Sequence, residues 1–363
     1  MKTLTKTLLT VLLIAISFID ASACTIFRLK AKDGSIMISR SMEFGADLKY
    51  DLIVVPRNKS FVSPSPVSRY GAQWKTLNGY VGVANMGMDF GVSDGMNEKG
   101  LAVSVLWYES DMQYQTVLPA DSSRAIAQVI YPDWILGSFS TVDEVKTATA
   151  AMKVFFYMDT TKMKMPVTVH YIVYDSQGGC IVVEFDKGEC HIYDNPLGIM
   201  TNSPSLPWQL TNLRQYIGLG NTNPIPLRAG GFSLNPTGHG DGMIGIPGDY
   251  TPPSRFVRLA MFERFVDRQP DSRSNLILCQ HVINTFSIPL GIIVDKDKNG
   301  NIYSTESTQW VTFRDITNRI LYFKTYDNPT LRKLDIGKLD FGAGEIKRIP
   351  MYGTQQLFID LNQ

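Results

Sequence analysis

Apolar and polar positions along this chain sort into short strand-like runs separated by turn chemistry, with four longer stretches of helical spacing. Residues 24–30 and 35–42 are rich in β-branched and apolar side chains, and Lys32-Asp33-Gly34 lies between them, so the pair reads as a hairpin. Loop length decides which residues share a face. A three-residue loop with Gly34 at positive φ pairs Ile26 with Arg40 and sets Arg40 diagonal to Cys24 on one face. A two-residue Asp-Gly loop would send Arg40 to the opposite face. The first is preferred, because a cation beside a thiol favours its thiolate.

The same reading continues along the chain. Residues 82–90 and 101–108 read as strands flanking a turn-rich Asp94-Gly95-Met96-Asn97-Glu98-Lys99-Gly100. Residues 121–155 read as helical, with Ser122/Ser123 capping one helix and Ser140-Thr141-x-x-Glu144 opening a second. Strands follow at 167–174, 180–185, 189–193 and 198–201, then a helix over 206–219 and a Gly/Pro-rich loop over 221–254. Residues 255–267 form an amphipathic helical pattern, 274–286 another, and strands return at 302–304, 310–315 and 319–325. No repeat and no long linker divides residues 24–363, which are expected to form a single layered α+β domain.

The N-terminus has a different character. Lys2 and Lys6 precede an apolar stretch over 8–19, and Ala21-Ser22-Ala23 follows the small-x-small rule of a secretory leader. That stretch is too short to span a bilayer, which takes about 20 residues, and no later segment is a candidate span. The chain is expected to be exported, periplasmic or secreted, with Cys24 as its first mature residue. Such a cysteine carries a thiol and a free α-amine, groups that titrate near about 8.5 and 7.7–8.0 in isolation, so nucleophile and base share one residue. A lipid anchor is the alternative, in which an acylated Cys24 would tether a binding protein. Ala21 stands where lipoprotein leaders usually have leucine.

Charge narrows the partners. Lys and Arg number 35 against 34 Asp and Glu, for a net charge of +1, so nothing draws the chain to nucleic acid or an anionic membrane. Cys180, Cys190 and Cys279 are expected to be structural thiols. With a turn at Asp186-Lys187-Gly188, Cys190 would face about Glu184 rather than Cys180. No Cys/His spacing suits a metal. Gly91-Val92-Ser93-Asp94-Gly95 matches a nucleophile elbow but lacks the helix that must follow. Gly240-x-Gly242-x-x-Gly245 opens no helix before Pro247 and reads as a loop. His170, His191, His239 and His281 share no pattern and read as structural or surface residues.

Five blocks in order carry a stronger signal: Cys24-Thr25; Ser39-Arg40-Ser41-Met42-Glu43; Asp94-Gly95-Met96-Asn97-Glu98-Lys99-Gly100-Leu101; Thr201-Asn202-Ser203-Pro204; and Pro247-Gly248-Asp249-Tyr250-Thr251-Pro252-Pro253-Ser254-Arg255-Phe256. Together they resemble the choloylglycine hydrolase family of conjugated bile acid hydrolases and penicillin V acylases. The resemblance implies the N-terminal nucleophile hydrolase fold, a four-layer α-β-β-α sandwich of two antiparallel sheets. It implies Cys24 as nucleophile, Arg40 beside the thiol, Glu43 where the family usually has aspartate holding the α-amine, Asn202 as an oxyanion amide and Arg255 as a second active-site arginine. Trp107 falls where relatives carry asparagine or tyrosine, lending a backbone N–H to the oxyanion or shaping the pocket. Met42, Phe44, Met88, Phe90 and Trp107 are candidate pocket residues. The implied reaction is amide hydrolysis of a small molecule with a bulky apolar acyl group and no cofactor: a conjugated bile salt, or penicillin V or an N-acyl homoserine lactone. Residues 212–219 resemble the family's assembly region, which implies a homotetramer.

Overall fold

The structure, a computed structural model, describes residues 23–363 apart from 47, 86–87, 110–111, 161–165, 354–356 and 358–363. The segment expected to be a leader lies outside the described residues as far as residue 22.

Two antiparallel sheets dominate. The first contains β1 (Cys24–Lys30), β2 (Ile36–Phe44), β11 (Ile302–Asp315), β12 (Ile320–Thr325) and β13 (Arg332–Asp335) in that order, with β10 (Ile293–Lys296) paired to the outer half of β11. The second has eight strands in the order β9 (Glu189–Asp194), β8 (Cys180–Asp186), β7 (Val169–Tyr174), β6 (Ala102–Trp107), β5 (Val92–Asn97), β4 (Tyr80–Asn85), β3 (Tyr50–Val55) and β14 (Lys347–Pro350). Helices α1 (Tyr131–Ser138) and α2 (Val142–Ala151) cover the outer face of the second sheet. Helices α4 (Pro252–Phe265) and α5 (Ser272–Asn284) cover the outer face of the first, and the short α3 (Leu206–Leu213) packs against α4. The layers therefore run α-β-β-α, as expected.

Alternation along each strand feeds two cores. In β3, Leu52 and Val54 enter the core shared by the sheets and α4/α5, while Ile53 and Val55 enter the core under α1 and α2. A strand buried on both faces is apolar throughout and loses its period-2 signature.

The β1–β2 hairpin has the register of the three-residue loop. Ala31 N–H donates to Ser35 O at 2.9 Å, Gly34 takes φ +90°, and Ile26 pairs with Arg40. Thr141 caps α2 as expected: its hydroxyl accepts from Glu144 N–H, and the Glu144 carboxylate accepts from Thr141 N–H.

Several expectations are corrected. The stretch read as a turn at Asp94–Gly100 is strand β5 through Asn97, and only Glu98-Lys99-Gly100 turn the chain. Asn97 itself holds that turn, its side-chain oxygen accepting from Lys99 and Leu101 N–H. Ser122 and Ser123 lie inside a 3-10 turn over Pro119–Arg124 rather than capping a helix. The strand expected at 198–201 is a single bridge of Met200 to Ile26, and the two strands expected at 302–304 and 310–315 are one, β11. Lys187 and Gly188, both at positive φ, make the β8–β9 turn, so Cys190 pairs with Phe185 and His191 with Glu184. Cys180, Cys190 and Cys279 are free thiols.

Candidate active site

Cys24 opens β1, and three parts of the chain converge on it: β2, the loop after β9 and the first turn of α4. On β2, Ile38 and Arg40 share the face turned to the second sheet, and Ser39 and Ser41 face α4 and α5. Arg40 is fully buried, with Nη2 lying 3.8 Å from Cys24 Sγ and 3.6 Å from Met42 Sδ. The guanidinium is fixed from several sides. Nη1 donates to Ser93 O, Nη2 donates to Val105 O at 2.5 Å, and its plane lies 5.0 Å over the Trp310 ring.

A second charge sets that position. Asp94 Oδ1 lies 3.6 Å from Arg40 Nη1 and 2.9 Å from Arg314 Nη2. Ser104 and Thr312 hydroxyls donate to the same carboxylate at 2.5 and 2.7 Å. Two buried arginines thus share one buried aspartate between the sheets, leaving an excess positive charge beside the thiol. Sequence reading missed Asp94 and Arg314. Each lies within a strand, Asp94 in β5 and Arg314 in β11, and only the pairing of the two sheets joins them.

The loop after β9 supplies Asn202. Ile26 and Met200 exchange both backbone hydrogen bonds at 3.0 Å, and continuing that antiparallel register by two residues sets Asn202 opposite Cys24. Asn202 Oδ1 accepts from Cys24 N–H at 2.7 Å, and Nδ2 donates to Trp107 O at 2.9 Å. Trp107 donates its indole N–H to Glu109 and meets Phe44 edge-on, ring centroids 6.3 Å apart. Met42 Sδ lies 3.5 Å from the thiol. Met88 and Phe90, both half-buried, belong to the β4–β5 connection.

Arg255 arrives on the first turn of α4. Pro252 and Pro253 start that helix where no backbone N–H is needed, and Asp249 accepts from Thr251 N–H and the Ser254 hydroxyl ahead of it. Arg255 Nη1 donates to Cys24 O and, at 2.7 Å, to Thr25 Oγ1; Nη2 donates to Asn202 Oδ1 at 2.8 Å. Burial pulls its pKa down, and the charges of Glu43, Cys24 and Glu306 oppose that.

Glu43 lies on the α4/α5 side of β2, its N–H donating to Ala23 O at 3.0 Å and its Oε1 accepting from Thr308 at 3.1 Å. Burial pushes its carboxyl up to about 7, against the opposing pull of the Arg255 charge and hydrogen bonds from Ser41 and Thr308. The thiol and Arg40 thus lie on one face of β1–β2, and Glu43 and Arg255 on the other. Ser93, the serine of the rejected elbow, sits within β5 and donates to Val83 O.

Comparison with known proteins agrees with this architecture. The profile of the linear amide C–N hydrolases, choloylglycine hydrolase family, matches residues 24–348. A bile salt hydrolase/transferase of Clostridium perfringens is 29% identical over 333 residues, covering 89% of this chain and 95% of the relative. A penicillin V acylase of Pectobacterium atrosepticum is 24% identical over 320 residues, 84% of this chain and 77% of that protein. The crystal structure of a variant conjugated bile acid hydrolase from Clostridium perfringens superposes with a TM-score of 0.80 at 27% identity, covering 94% of this chain and all of the other. With a match that starts at Cys24 and reaches into β14, this chain belongs to the choloylglycine hydrolase family of linear amide C–N hydrolases, and is a hydrolase.

Proposed function

We propose that this hydrolase cleaves the amide bond of glycine- or taurine-conjugated bile salts, with Cys24 as nucleophile once residues 1–23 are removed. The observation that carries the reading is the convergence of Arg40, Asn202 and Arg255, from three separate elements, on Cys24. Cleavage before Cys24 frees an α-amine in the strand pair where Glu43 N–H met Ala23 O. The ammonium then has the Glu43 carboxylate as a buried counter-charge, in place of the aspartate usual in the family.

The chemistry follows from the groups present. The thiolate attacks the amide carbonyl and forms the C–S bond. Asn202 Nδ2 carries two hydrogens; one is donated to Trp107 O, and the other is available to the oxyanion. Such a donor is worth about 3–4 kcal/mol. The C–N bond breaks as the leaving nitrogen takes a proton from the α-ammonium. The amine, now a base, takes a proton from water, whose hydroxide oxygen displaces the thiolate from the thioester. Met42, Phe44 and Trp107 offer an apolar wall to the acyl group. Export and homotetrameric assembly belong to the same proposal.

The test is a chain that begins at Cys24, assayed on tauro- and glyco-conjugated bile salts and penicillin V beside Cys24→Ala. Release of taurine or glycine is expected, and its loss in Cys24→Ala with an unchanged circular dichroism spectrum. Activity in Cys24→Ala overturns the nucleophile. Turnover of penicillin V alone moves the substrate to the acylase side of the family. An acyl group found on Cys24 by mass spectrometry of the exported protein overturns the mechanism in favour of a lipid-anchored binding protein.

A further inference from the structure

Behind the loop that carries Asn202 lies a buried polar pair. On the inter-sheet face of the β7–β8 hairpin, Ile172, Tyr174, Cys180 and Val182 are apolar, and His170 and Glu184 end the row. They are 1% and 2% exposed, so each must find partners inside the protein. His170 Nδ1 lies 3.1 Å from Glu184 Oε1, and His170 Nε2 lies 3.0 Å from Thr201 O. The ring stacks on Tyr108 with centroids 4.7 Å apart. Leu206 N–H, at the head of α3, donates to both Glu184 oxygens at 3.1 and 3.3 Å.

Both ring nitrogens therefore face acceptors. A neutral imidazole has one N–H to give. If it bonds Thr201, the Nδ1 lone pair opposes the Glu184 carboxylate; if it bonds Glu184, the Thr201 carbonyl loses its donor. The set is complete only when the pair holds one further proton, on Nδ1 or on the carboxyl. Thr201 directly precedes Asn202, and its hydroxyl donates at 3.0 Å to the carbonyl of Pro252, the first residue of the helix that carries Arg255. The clamp thus acts where the Asn202 loop meets α4.

We infer that His170 is a positioning residue for Asn202: the protonated His170–Glu184 pair grips the Thr201 carbonyl and so fixes the Asn202 amide against Cys24. The inference rests on the proposed role of Asn202 in amide hydrolysis. The groups facing the pair are Tyr108 from the end of β6, and His191 and Tyr193 from β9, with His191 directly across from Glu184. Without the shared proton the Thr201 carbonyl loses its donor, which slows the chemical step and leaves substrate binding unchanged.

Steady-state kinetics of the chain beginning at Cys24 test this, on whichever conjugated substrate it turns over. His170→Leu is expected to lower kcat by about tenfold or more, part of the loss that follows removal of an oxyanion donor, with KM within about twofold. In Glu184→Gln the amide N–H can donate to Nδ1 while Nε2–H holds Thr201, so no shared proton is needed. That variant is expected to lose less kcat than His170→Leu, with KM again within about twofold. A wild-type kcat in folded His170→Leu overturns the inference. So does a loss of about tenfold or more in folded Glu184→Gln, where Thr201 keeps its donor, and this variant decides alone if His170→Leu does not fold. A wild-type chain that turns over no amide overturns the hydrolytic reading on which the inference rests.

Discussion

Arg40 and Arg314 share the carboxylate of Asp94, and none of the three is more than 1% exposed. Removing one partner of a buried ion pair leaves a charge without compensation, at about 3–5 kcal/mol. Asp94→Asn keeps the shape and removes the charge from between two arginines. Its thermal midpoint is expected to fall by many degrees, and hydrolysis to be lost even below that midpoint because Arg40 no longer holds its place at the thiol; a wild-type midpoint would contradict this. Glu43 carries a different prediction, tied to pH. With Ala23 still attached, its carboxyl titrates near 7 against 4.5 when exposed. The unfolded chain releases that proton first, so stability is unaffected below about 4.5, declines as pH rises from about 4.5 to 7, and stays reduced above, on the order of 3 kcal/mol. Asp133, raised by burial from 3.8 to about 7, adds a decline over about 3.8 to 7. Denaturant unfolding of a chain retaining Ala23 should show the combined slope, and Glu43→Gln should flatten it to the Asp133 part. An unchanged slope would contradict this. Cys24, Arg40, Glu43, Asn202 and Arg255 were legible because each sits in a local block of sequence. Asp94 opens such a block too but read as a turn residue, and Arg314, His170 and Glu184 were not legible, because the meaning of all four depends on partners on other strands.

At the scale of elements, the β1–β2 hairpin decides where the cation lies. Gly34 has φ +90°, and a Cβ added there meets no atom within 4 Å, so Gly34→Ala is opposed by backbone conformation alone, about 1 kcal/mol. The expected result is a small drop in the denaturant midpoint with no change in slope and with hydrolysis intact. One residue inserted after Gly34 acts differently. It moves Arg40 to the face of Ser39 and Ser41, so activity is expected to vanish in any protein that still folds; an active insertion variant would refute the register argument. This hairpin was legible because its turn chemistry is local. Strand β3 was not, since it is buried on both faces and shows no alternation. Strand β5 was mistaken for a turn because Asp94, Gly95 and Asn97 are turn residues by propensity. In place, Asp94 is held by two arginines, a Cβ at Gly95 would lie 2.7 Å from Leu136, and Asn97 donates to the Leu136 and Phe139 carbonyls. Tertiary partners override local preference there.

At the scale of the whole molecule, an amphipathic ribbon has no cover among the described residues. Residues Leu227–Ala229 pair with Phe232–Leu234 so that Leu227, Ala229, Phe232 and Leu234 share one face, with Arg228 and Ser233 on the other. The apolar face is open to solvent: Leu227 is 63% exposed, Phe232 74% and Leu234 55%, with Ile225 nearby at 91%. A two-stranded hairpin is marginal by itself in water, and so much clustered apolar surface marks a contact between proteins. The ribbon begins at Leu227, beyond the 212–219 segment, and under the proposed homotetrameric assembly its partner is a second copy of this chain. Burying a Phe or Leu side chain contributes about 1.5–3 kcal/mol, and a symmetric assembly repeats the gain in every subunit. Sedimentation of the chain beginning at Cys24 is expected to give a tetramer, and Phe232→Asp with Leu234→Asp a smaller species. Arg40, Asn202 and Arg255 reach Cys24 within one subunit, so turnover per subunit should survive dissociation while thermal stability falls. A wild-type protein that sediments as a monomer would refute the assembly. A dissociated variant without activity would instead show that the neighbouring subunit shapes the site.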